Sequence, residues 1–277
     1  MVAPIEEDSR GILDPTTAQA RFRLERFDPS PDLARFVDRY WAVSWDLPDG
    51  VTHHQEVLTH PAVNVVFEST GAGVYGVQRR IQTQELRGSG RALGIMFRPA
   101  GFRPFLGRPL STITGRTLDL AEVFGRPAAD AAEHDMAGAD GPEEMARVAD
   151  RFLAARAPAE RQPGERISAI VERIAAQPAL LRVDELSRDL SLSPRHLQRL
   201  FADQVGVSPK WVIRRYRIYE AAGRAAAGVD VNWADLAADL GYSDQAHLTR
   251  EFTAAVGLPP AAYARRCAAS LAALESV

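Results

Sequence analysis

Arginine and glutamine side chains recur in two similar segments of the C-terminal third of the chain. The first segment covers residues 183–201 and the second covers 233–252, and each is followed by Val-Gly and then by a proline. Arginine can bind guanine O6 and N7 together, and glutamine can bind adenine N6 and N7. These residue types therefore offer the chemistry needed to read base edges in double-stranded DNA.

Each segment is predicted to form a helix, a tight turn and a second helix. In the first, Leu186 and Leu190 stand four residues apart and share one helical face. Ser193 is predicted as the N-cap of the second helix, and Gly206 as the left-handed residue that closes it. The equivalent residues of the second segment are Leu236, Leu240, Ser243 and Gly257. Two short helices joined by such a turn form a helix-turn-helix unit.

The outward face of each second helix is predicted to enter the major groove, since its apolar face packs on its own unit. The candidate base-reading residues are Arg195, Gln198, Arg199, Gln245, Ala246, Thr249 and Arg250. The candidate phosphate-binding residues are Ser193, His196, Lys210, Arg214, Arg215, Ser243 and His247. For each arginine of the recognition helices, a base contact and a phosphate contact remain alternatives. The basic residues between the units could equally form a solvated face.

A helix predicted at about 209–226 joins the two units. It would be roughly 27 Å long at about 1.5 Å per residue, and neighbouring major grooves on one face of DNA lie about 34 Å apart. Leu186 aligns with Leu236 at an offset of 50 residues, whereas Leu197 aligns with Leu248 at an offset of 51. The extra residue falls near the start of the second recognition helix, so we expect an asymmetric binding site.

The second segment also contains a longer motif, Gly241-Tyr242-Ser243-Asp244-Gln245, followed by His247-Leu248, Arg250, Phe252, Gly257, Pro260 and Tyr263. With Arg217-Ile218 and Ala221 between the segments, residues 166–266 resemble the AraC/XylS family of transcription regulators. The resemblance implies two helix-turn-helix units, at about 183–206 and 233–257, that bind double-stranded DNA. Ser191 stands where the family usually has glycine, and Gly223 weakens the joining helix by roughly 1 kcal/mol relative to alanine.

The N-terminal half has the pattern of short strands. β-branched and aromatic runs separated by turn residues predict strands at Tyr40–Trp45, Val63–Phe67, Val74–Val77 and Leu93–Phe97. Flanking helices are predicted at 31–40, 118–124 and 142–157. The overall fold class is therefore α+β: a β-rich, barrel or cupin-like domain over 1–157, a proline-containing linker at 158–165, and an all-α domain over 166–268. Residues 94–99 look like the strand that closes such a barrel.

Many AraC-type proteins have an N-terminal β-rich domain that senses a small molecule or dimerises. The resemblance thus implies a small-molecule effector and a homodimer, with RNA polymerase as a further candidate partner. The sequence identifies no effector-binding residue, and a domain that only dimerises is the alternative. A second alternative is a cupin-like metal sensor or enzyme, because histidine and carboxylate ligands suit zinc or iron. Its candidate ligands are His53, His54, Glu56, His60 and Glu68, although their spacing matches no specific motif and polar residues on strand edges are the favoured interpretation.

Composition favours a cytoplasmic protein that is not an enzyme. The 277 residues contain one cysteine, Cys267, no long apolar run and no signal-peptide pattern. No Gly-x-Ser-x-Gly elbow or phosphate-binding glycine loop is present, so we expect no catalytic residue, cofactor or metal, and no membrane partner. The formal net charge of −3 gives no overall attraction to nucleic acid, so any DNA contact must be local.

Overall fold

The computed structural model describes residues 11–177, 182–227 and 231–275. The N-terminal part is rich in β-strands and the C-terminal part is helical, which confirms the predicted α+β class. No helix in these three ranges combines the length and apolar character needed to cross a membrane.

Two antiparallel sheets form the β-rich part. The larger sheet has the order β1-β2-β7-β4-β5-β8, and the smaller one pairs β3 with β6. The strands are β1 (Arg23–Phe27), β2 (Val37–Asp46), β3 (Thr52–Val57), β4 (Asn64–Glu68), β5 (Gly71–Tyr75), β6 (Gln82–Arg87), β7 (Ser89–Phe97) and β8 (Thr117–Asp119). The segment predicted to close a barrel is the end of β7, which instead lies in the middle of the larger sheet between β2 and β4.

Alternation along β2 separates a core face from an outer face. Tyr40 and Ala42 are buried in the core of this domain, whereas Trp41 lies on the opposite face. The Trp41 ring lies directly over Gly94 of β7, where a Cβ atom would approach the ring to 1.9 Å. Glycine at position 94 is therefore required for the indole to lie flat on the sheet.

In the described part of the chain, five α-helices accompany the sheets. They are α1 (Pro15–Gln19), α2 (Arg103–Leu106), α3 (Leu120–Phe124), α4 (Arg126–Ala137) and α5 (Pro142–Ala154). Helices α3, α4 and α5 pack on the core face, whereas α1 packs on the C-terminal helix Pro260–Glu275. The predicted helices at 118–124 and 142–157 are present with shifted ends. The helix predicted at 31–40 is wrong: residues 31–36 form successive turns, and the chain then enters β2 because Tyr40 and Ala42 are needed in the sheet core.

The described residues of the C-terminal part form seven helices. They are α6 (Gly164–Ala176), α7 (Val183–Asp189), α8 (Pro194–Gln204), α9 (Pro209–Ala226), α10 (Trp233–Asp239), α11 (Gln245–Val256) and α12 (Pro260–Glu275). Their apolar side chains form two clusters, one around α7 and α8 and one around α10 and α11. Each cluster also includes residues from the β-rich part: Val77 and Ala100 in the first, Leu13 and Leu58 in the second.

Polar contacts strengthen this junction of the two parts. Arg103 and Asp203 form an ion pair at 3.1 Å, and Arg266 and Glu56 form another at 2.9 Å. The Thr114 hydroxyl donates to the carbonyl of Gly206 at 2.6 Å, just after α8. Because apolar and polar contacts reach both helical clusters, the β-rich part is packed against both of them.

Candidate nucleic-acid interface

The first helix-turn-helix unit consists of α7, a four-residue turn and α8. Ser191 in the turn has φ of +54°, a left-handed conformation that usually requires glycine. Its position in the turn is held because the Leu192 amide donates to the carbonyl of Ser187 at 2.9 Å. The Ser193 hydroxyl accepts from the His196 amide at 3.3 Å, which confirms Ser193 as the N-cap of α8.

The second unit consists of α10, a five-residue turn and α11. Gly241 has φ of +71°, and the Tyr242 amide donates to the carbonyl of Ala237 at 2.9 Å, so this turn repeats the geometry of the first. Gly257 ends α11 with φ of +82°, as predicted. The two units therefore have equivalent backbone conformations from the first helix as far as Leu192 in the first unit and Tyr242 in the second.

The N-cap of α11 differs from the prediction. The Asp244 carboxylate, rather than the Ser243 hydroxyl, accepts from the His247 amide, at 2.7 Å. The Ser243 hydroxyl instead donates a hydrogen bond to the Asp244 carboxylate and lies 3.1 Å from Nδ1 of His247. Since Ser193 aligns with Asp244 at the offset of 51 residues, Ser243 is the extra residue of the second unit. The prediction located the extra residue near the start of α11 but assigned the N-cap to the serine and not to the aspartate that follows it.

The predicted base-reading residues all lie on the outward faces of α8 and α11. Their opposite faces are buried by Leu197 and Phe201 in α8 and by Leu248 and Phe252 in α11. Exposed candidates are Arg195, Gln198, Arg199, Gln245, Ala246 and Arg250, and Thr249 is half-buried. These side chains are accessible to a ligand, and their contacts with bases stay a prediction.

The predicted phosphate-binding residues fall into several environments. Ser193, Lys210 and Ser243 are exposed, and His196 is half-buried beside Arg199, at 3.2 Å. Arg214 is exposed but pairs with Glu251 at 2.8 Å. His247 lies between the Ser243 hydroxyl and the same Glu251 carboxylate, so a phosphate contact there would compete with an existing partner.

Arg215 does not fit a phosphate contact, and that prediction is contradicted. Its side chain is buried, with 4% of the residue exposed, and its guanidinium donates to the main-chain carbonyl of Arg79 at 2.9 Å. It also lies over the Trp211 ring at 4.6 Å. Arg215 therefore points towards the β-rich part, whereas its neighbour Arg214 points to solvent, because successive helical residues are rotated by about 100°.

The helix α9 spans Pro209–Ala226, the range predicted for the joining helix. Val212 and Ile213 belong to the apolar cluster of the first unit, and Ile218 and Ala221 belong to that of the second. One continuous helix is thus a structural member of both units. At about 1.5 Å per residue it is roughly 27 Å long, as predicted for a helix that joins two recognition helices.

Arg217 is a positioning residue that the sequence patterns did not assign to a role. Its guanidinium donates to the carbonyl of Gly241 at 3.2 Å and lies over the Tyr242 ring at 5.7 Å. Burial lowers the pKa of Arg217. Arg217 therefore attaches the turn of the second unit to α9. The sequence shows Arg217 in the Arg217-Ile218 motif, but its contacts with Gly241 and Tyr242 are identified only once α9 packs on the turn of the second unit.

Three of the five candidate metal ligands of the β-rich part have other partners. Glu56 pairs with Arg266, His54 contacts Glu85 at 3.2 Å, and the His60 ring stacks on Tyr219 at 4.8 Å. Within the described ranges, no group of three histidine, cysteine, aspartate or glutamate side chains is arranged to hold a metal ion. The described structure gives the metal-site alternative no support.

Comparisons with known families match both parts of the chain. A family described as a domain of unknown function (DUF6597) matches residues 25–119, and one described as a helix-turn-helix domain matches residues 186–266. The HTH-type transcriptional regulator Rv1931c of Mycobacterium tuberculosis is 34% identical over 82 residues, which are 30% of this chain and 31% of that protein. The chain therefore spans about a third of the length of this curated relative.

Weak similarity extends to solved structures of two other proteins. The C-terminal domain of AraT, a response regulator from Geobacillus stearothermophilus, has 23% identity and a TM-score of 0.32, covering 35% of this chain and 84% of that one. An apo ToxT variant from Vibrio cholerae has 12% identity and a TM-score of 0.41, covering 82% of this chain and 97% of that one.

The helix-turn-helix match covers both units and the helix between them, and the structure shows the two units built on one joining helix. The motif residues Gly241 and Asp244 occupy the turn and the N-cap that this arrangement requires. Residues 186–266 of this chain therefore form a helix-turn-helix domain that is similar in sequence to that of an HTH-type transcriptional regulator.

Proposed function

We propose that this protein regulates transcription by binding DNA sequence-specifically with both helix-turn-helix units. The observation that supports this function best is the shared helix α9, which is buried in the apolar clusters of both units. The outward faces of α8 and α11 carry exposed arginine and glutamine side chains, which suit base edges. A rigid connection lets one chain contact two successive major grooves.

The test is a selection of binding sites from random double-stranded DNA with the full-length protein, followed by titration of the selected site at several salt concentrations. We expect a bipartite, asymmetric site and an affinity that falls as salt rises, since phosphate contacts release counterions. A random duplex of equal length is the control. Equal affinity for both duplexes at every salt concentration would contradict sequence-specific binding.

We further propose that a small molecule bound by the β-rich part alters DNA binding. Leu13 and Leu58 belong to the core of the second unit, and Val77 and Ala100 to that of the first. A change in the β-rich part therefore has a direct physical route to both units. Ligand-induced shifts in melting temperature, measured with and without the selected DNA, test this proposal.

The alternative is that the β-rich part acts by dimerisation alone. Light scattering of the full-length protein at micromolar concentration separates the two. A dimer whose DNA affinity and melting temperature respond to no tested ligand class would support the alternative, whereas a ligand-dependent DNA affinity would support sensing.

A further inference from the structure

The buried guanidinium of Arg215 has too few partners for its charge. Its Nη2 donates to the carbonyl of Arg79, whereas its Nη1 is buried and has no hydrogen-bond partner among the described residues. Burial is the main cause that lowers its pKa, and no described carboxylate offsets that effect. An arginine stays protonated in proteins, and a buried charge without a counterion is costly. The position therefore lacks a negative partner.

Arg79, whose carbonyl accepts the hydrogen bond from Arg215, also lines a cavity of about 390 Å³. Its lining is formed by Gln78, Arg79, Arg80, Gln82, Ser111, Thr114 and Gly115. The charged side chains in this lining are both arginines, and Arg79 and Arg80 are exposed. Neither has an ion-pair partner in the described part of the chain. The Ser111 hydroxyl adds a further hydrogen-bond donor, whereas the Thr114 hydroxyl already donates to the carbonyl of Gly206.

The cavity is connected by single hydrogen bonds to the joining helix and to the first DNA-binding unit. On one side, the Arg79 carbonyl accepts from Arg215 of α9. On the other side, the Thr114 hydroxyl donates to the carbonyl of Gly206, which follows the recognition helix α8. A ligand that moves the 78–82 segment or Thr114 would therefore act on the joining helix and on the first unit.

We propose that this cavity binds a small polyanion, a phosphate ester or a polycarboxylate, held by Arg79 and Arg80. The two arginines of the lining, which have no ion-pair partner among the described residues, and the nearby buried charge of Arg215 favour a ligand with more than one negative charge. The volume is in the range of small-molecule sites. This inference names the effector class and so rests on the ligand response proposed above.

A DNA phosphate is the other anion that two exposed arginines could bind. The position favours a small ligand, because Thr114 contacts the C-terminal end of α8, whereas the exposed base-reading candidates begin at its N-terminal end with Arg195. The 11 residues of α8 separate these ends by roughly 16 Å. The arginines also line a concavity, which suits a compact ligand.

Isothermal titration of the full-length protein with pyrophosphate and with citrate tests the proposal and separates the two sources of negative charge. Ionic strength is held constant with sodium chloride. We expect at least one of the two anions to bind in one-to-one ratio. Arg80→Gln should weaken that binding by about tenfold or more, the effect of losing a charge-assisted hydrogen bond. Arg161→Gln is the matched control, since it removes the same charge from a side chain that is 94% exposed.

The outcomes are distinct. Binding of neither anion to the parent protein overturns the proposal, and so does an equal loss in Arg80→Gln and Arg161→Gln. If Arg80→Gln instead lowers DNA affinity in the absence of any anion, the arginines bind DNA phosphate and the proposal is wrong. A protein that binds an anion but selects no DNA site would support the cavity and contradict sequence-specific DNA binding. Failure of the anion proposal and failure of the DNA-binding proposal therefore give different results.

Discussion

The Tyr219 hydroxyl of α9 donates a hydrogen bond to the main-chain carbonyl of Leu58 at 2.9 Å, and both residues are buried. Leu58 directly follows β3, so the joining helix of the DNA-binding domain is attached to the β-rich part at its middle. Burial raises the pKa of Tyr219 well above its ordinary value, which keeps the hydroxyl protonated as a donor. The element that sets the spacing of the two recognition helices is thus also the element that contacts the other domain.

Tyr219→Phe should destabilise the full-length protein. The substitution removes the donor and leaves the Leu58 carbonyl buried without a partner, which costs about 1–2 kcal/mol in the free energy of unfolding. Urea denaturation followed by far-UV circular dichroism measures this difference. Tyr75→Phe is the control, since Tyr75 is half-buried in β5 and should change the free energy by less than about 0.5 kcal/mol. Equal effects of the two variants would show that the Tyr219 hydrogen bond contributes nothing.

Arg250→Ala should weaken binding to the selected DNA site by about 1–3 kcal/mol if Arg250 makes a bidentate base contact. Fluorescence anisotropy with the selected site and with random DNA separates base reading from phosphate binding. An equal loss on both duplexes would assign Arg250 to phosphate. Arg265→Ala, an exposed arginine on α12, serves as the control for the loss of one positive charge.

Gly223→Ala should stabilise α9. Gly223 is exposed, and a Cβ atom at this position would meet no atom within 4 Å, so alanine fits without strain. The expected gain is about 0.5–1 kcal/mol, because glycine loses more backbone entropy in a helix. Urea denaturation measures the gain, and DNA affinity should hold or rise. A loss of stability would indicate that the helix is distorted at this position.

Insertion of one alanine after Gly223 should separate specific from non-specific DNA binding. The insertion rotates the second unit by about 100° relative to the first and shifts it by about 1.5 Å. Specific affinity should fall sharply while binding to random DNA survives, as anisotropy titrations would show. Because α9 also packs in both clusters, circular dichroism must first show that the variant is folded. A folded variant with parental affinity for the full site would rule out a rigid pair of units.

Asp244→Ala should lower the melting temperature more than Ser243→Ala, since the structure makes Asp244 the N-cap of α11. The His247 amide and the Ser243 hydroxyl both donate to the Asp244 carboxylate and lower its pKa. A lowered folded-state pKa means that the carboxylate stabilises the fold above the unfolded-state pKa, and that this contribution is lost as pH falls through the folded-state pKa. The difference between parent and Asp244→Ala should therefore shrink in acid. A larger effect of Ser243→Ala at neutral pH would contradict the assignment.

The sequence alone was sufficient to predict the two helix-turn-helix units and the helix that joins them. The spacing of Leu186 and Leu190, and the repeat at Leu236 and Leu240, predicted both units, because an amphipathic helix must place apolar residues on one face. The bounds of α9 were also visible, since Ser208 and Pro209 form a strong helix start. The shift from 50 to 51 residues correctly located an extra residue, although Asp244 rather than Ser243 is the cap.

Tertiary structure decided which helical faces meet the other domain. Arg214 and Arg215 are adjacent arginines, and the sequence predicted phosphate binding equally for both. In the structure Arg214 is exposed and Arg215 is buried. The difference arises because the segment carrying Arg79, 136 positions away in the chain, packs on one face of α9. Helical periodicity indicates that Arg214 and Arg215 lie on different faces of α9. Which of these faces is buried depends on how the β-rich part packs on the helix, and a local sequence pattern does not contain that information.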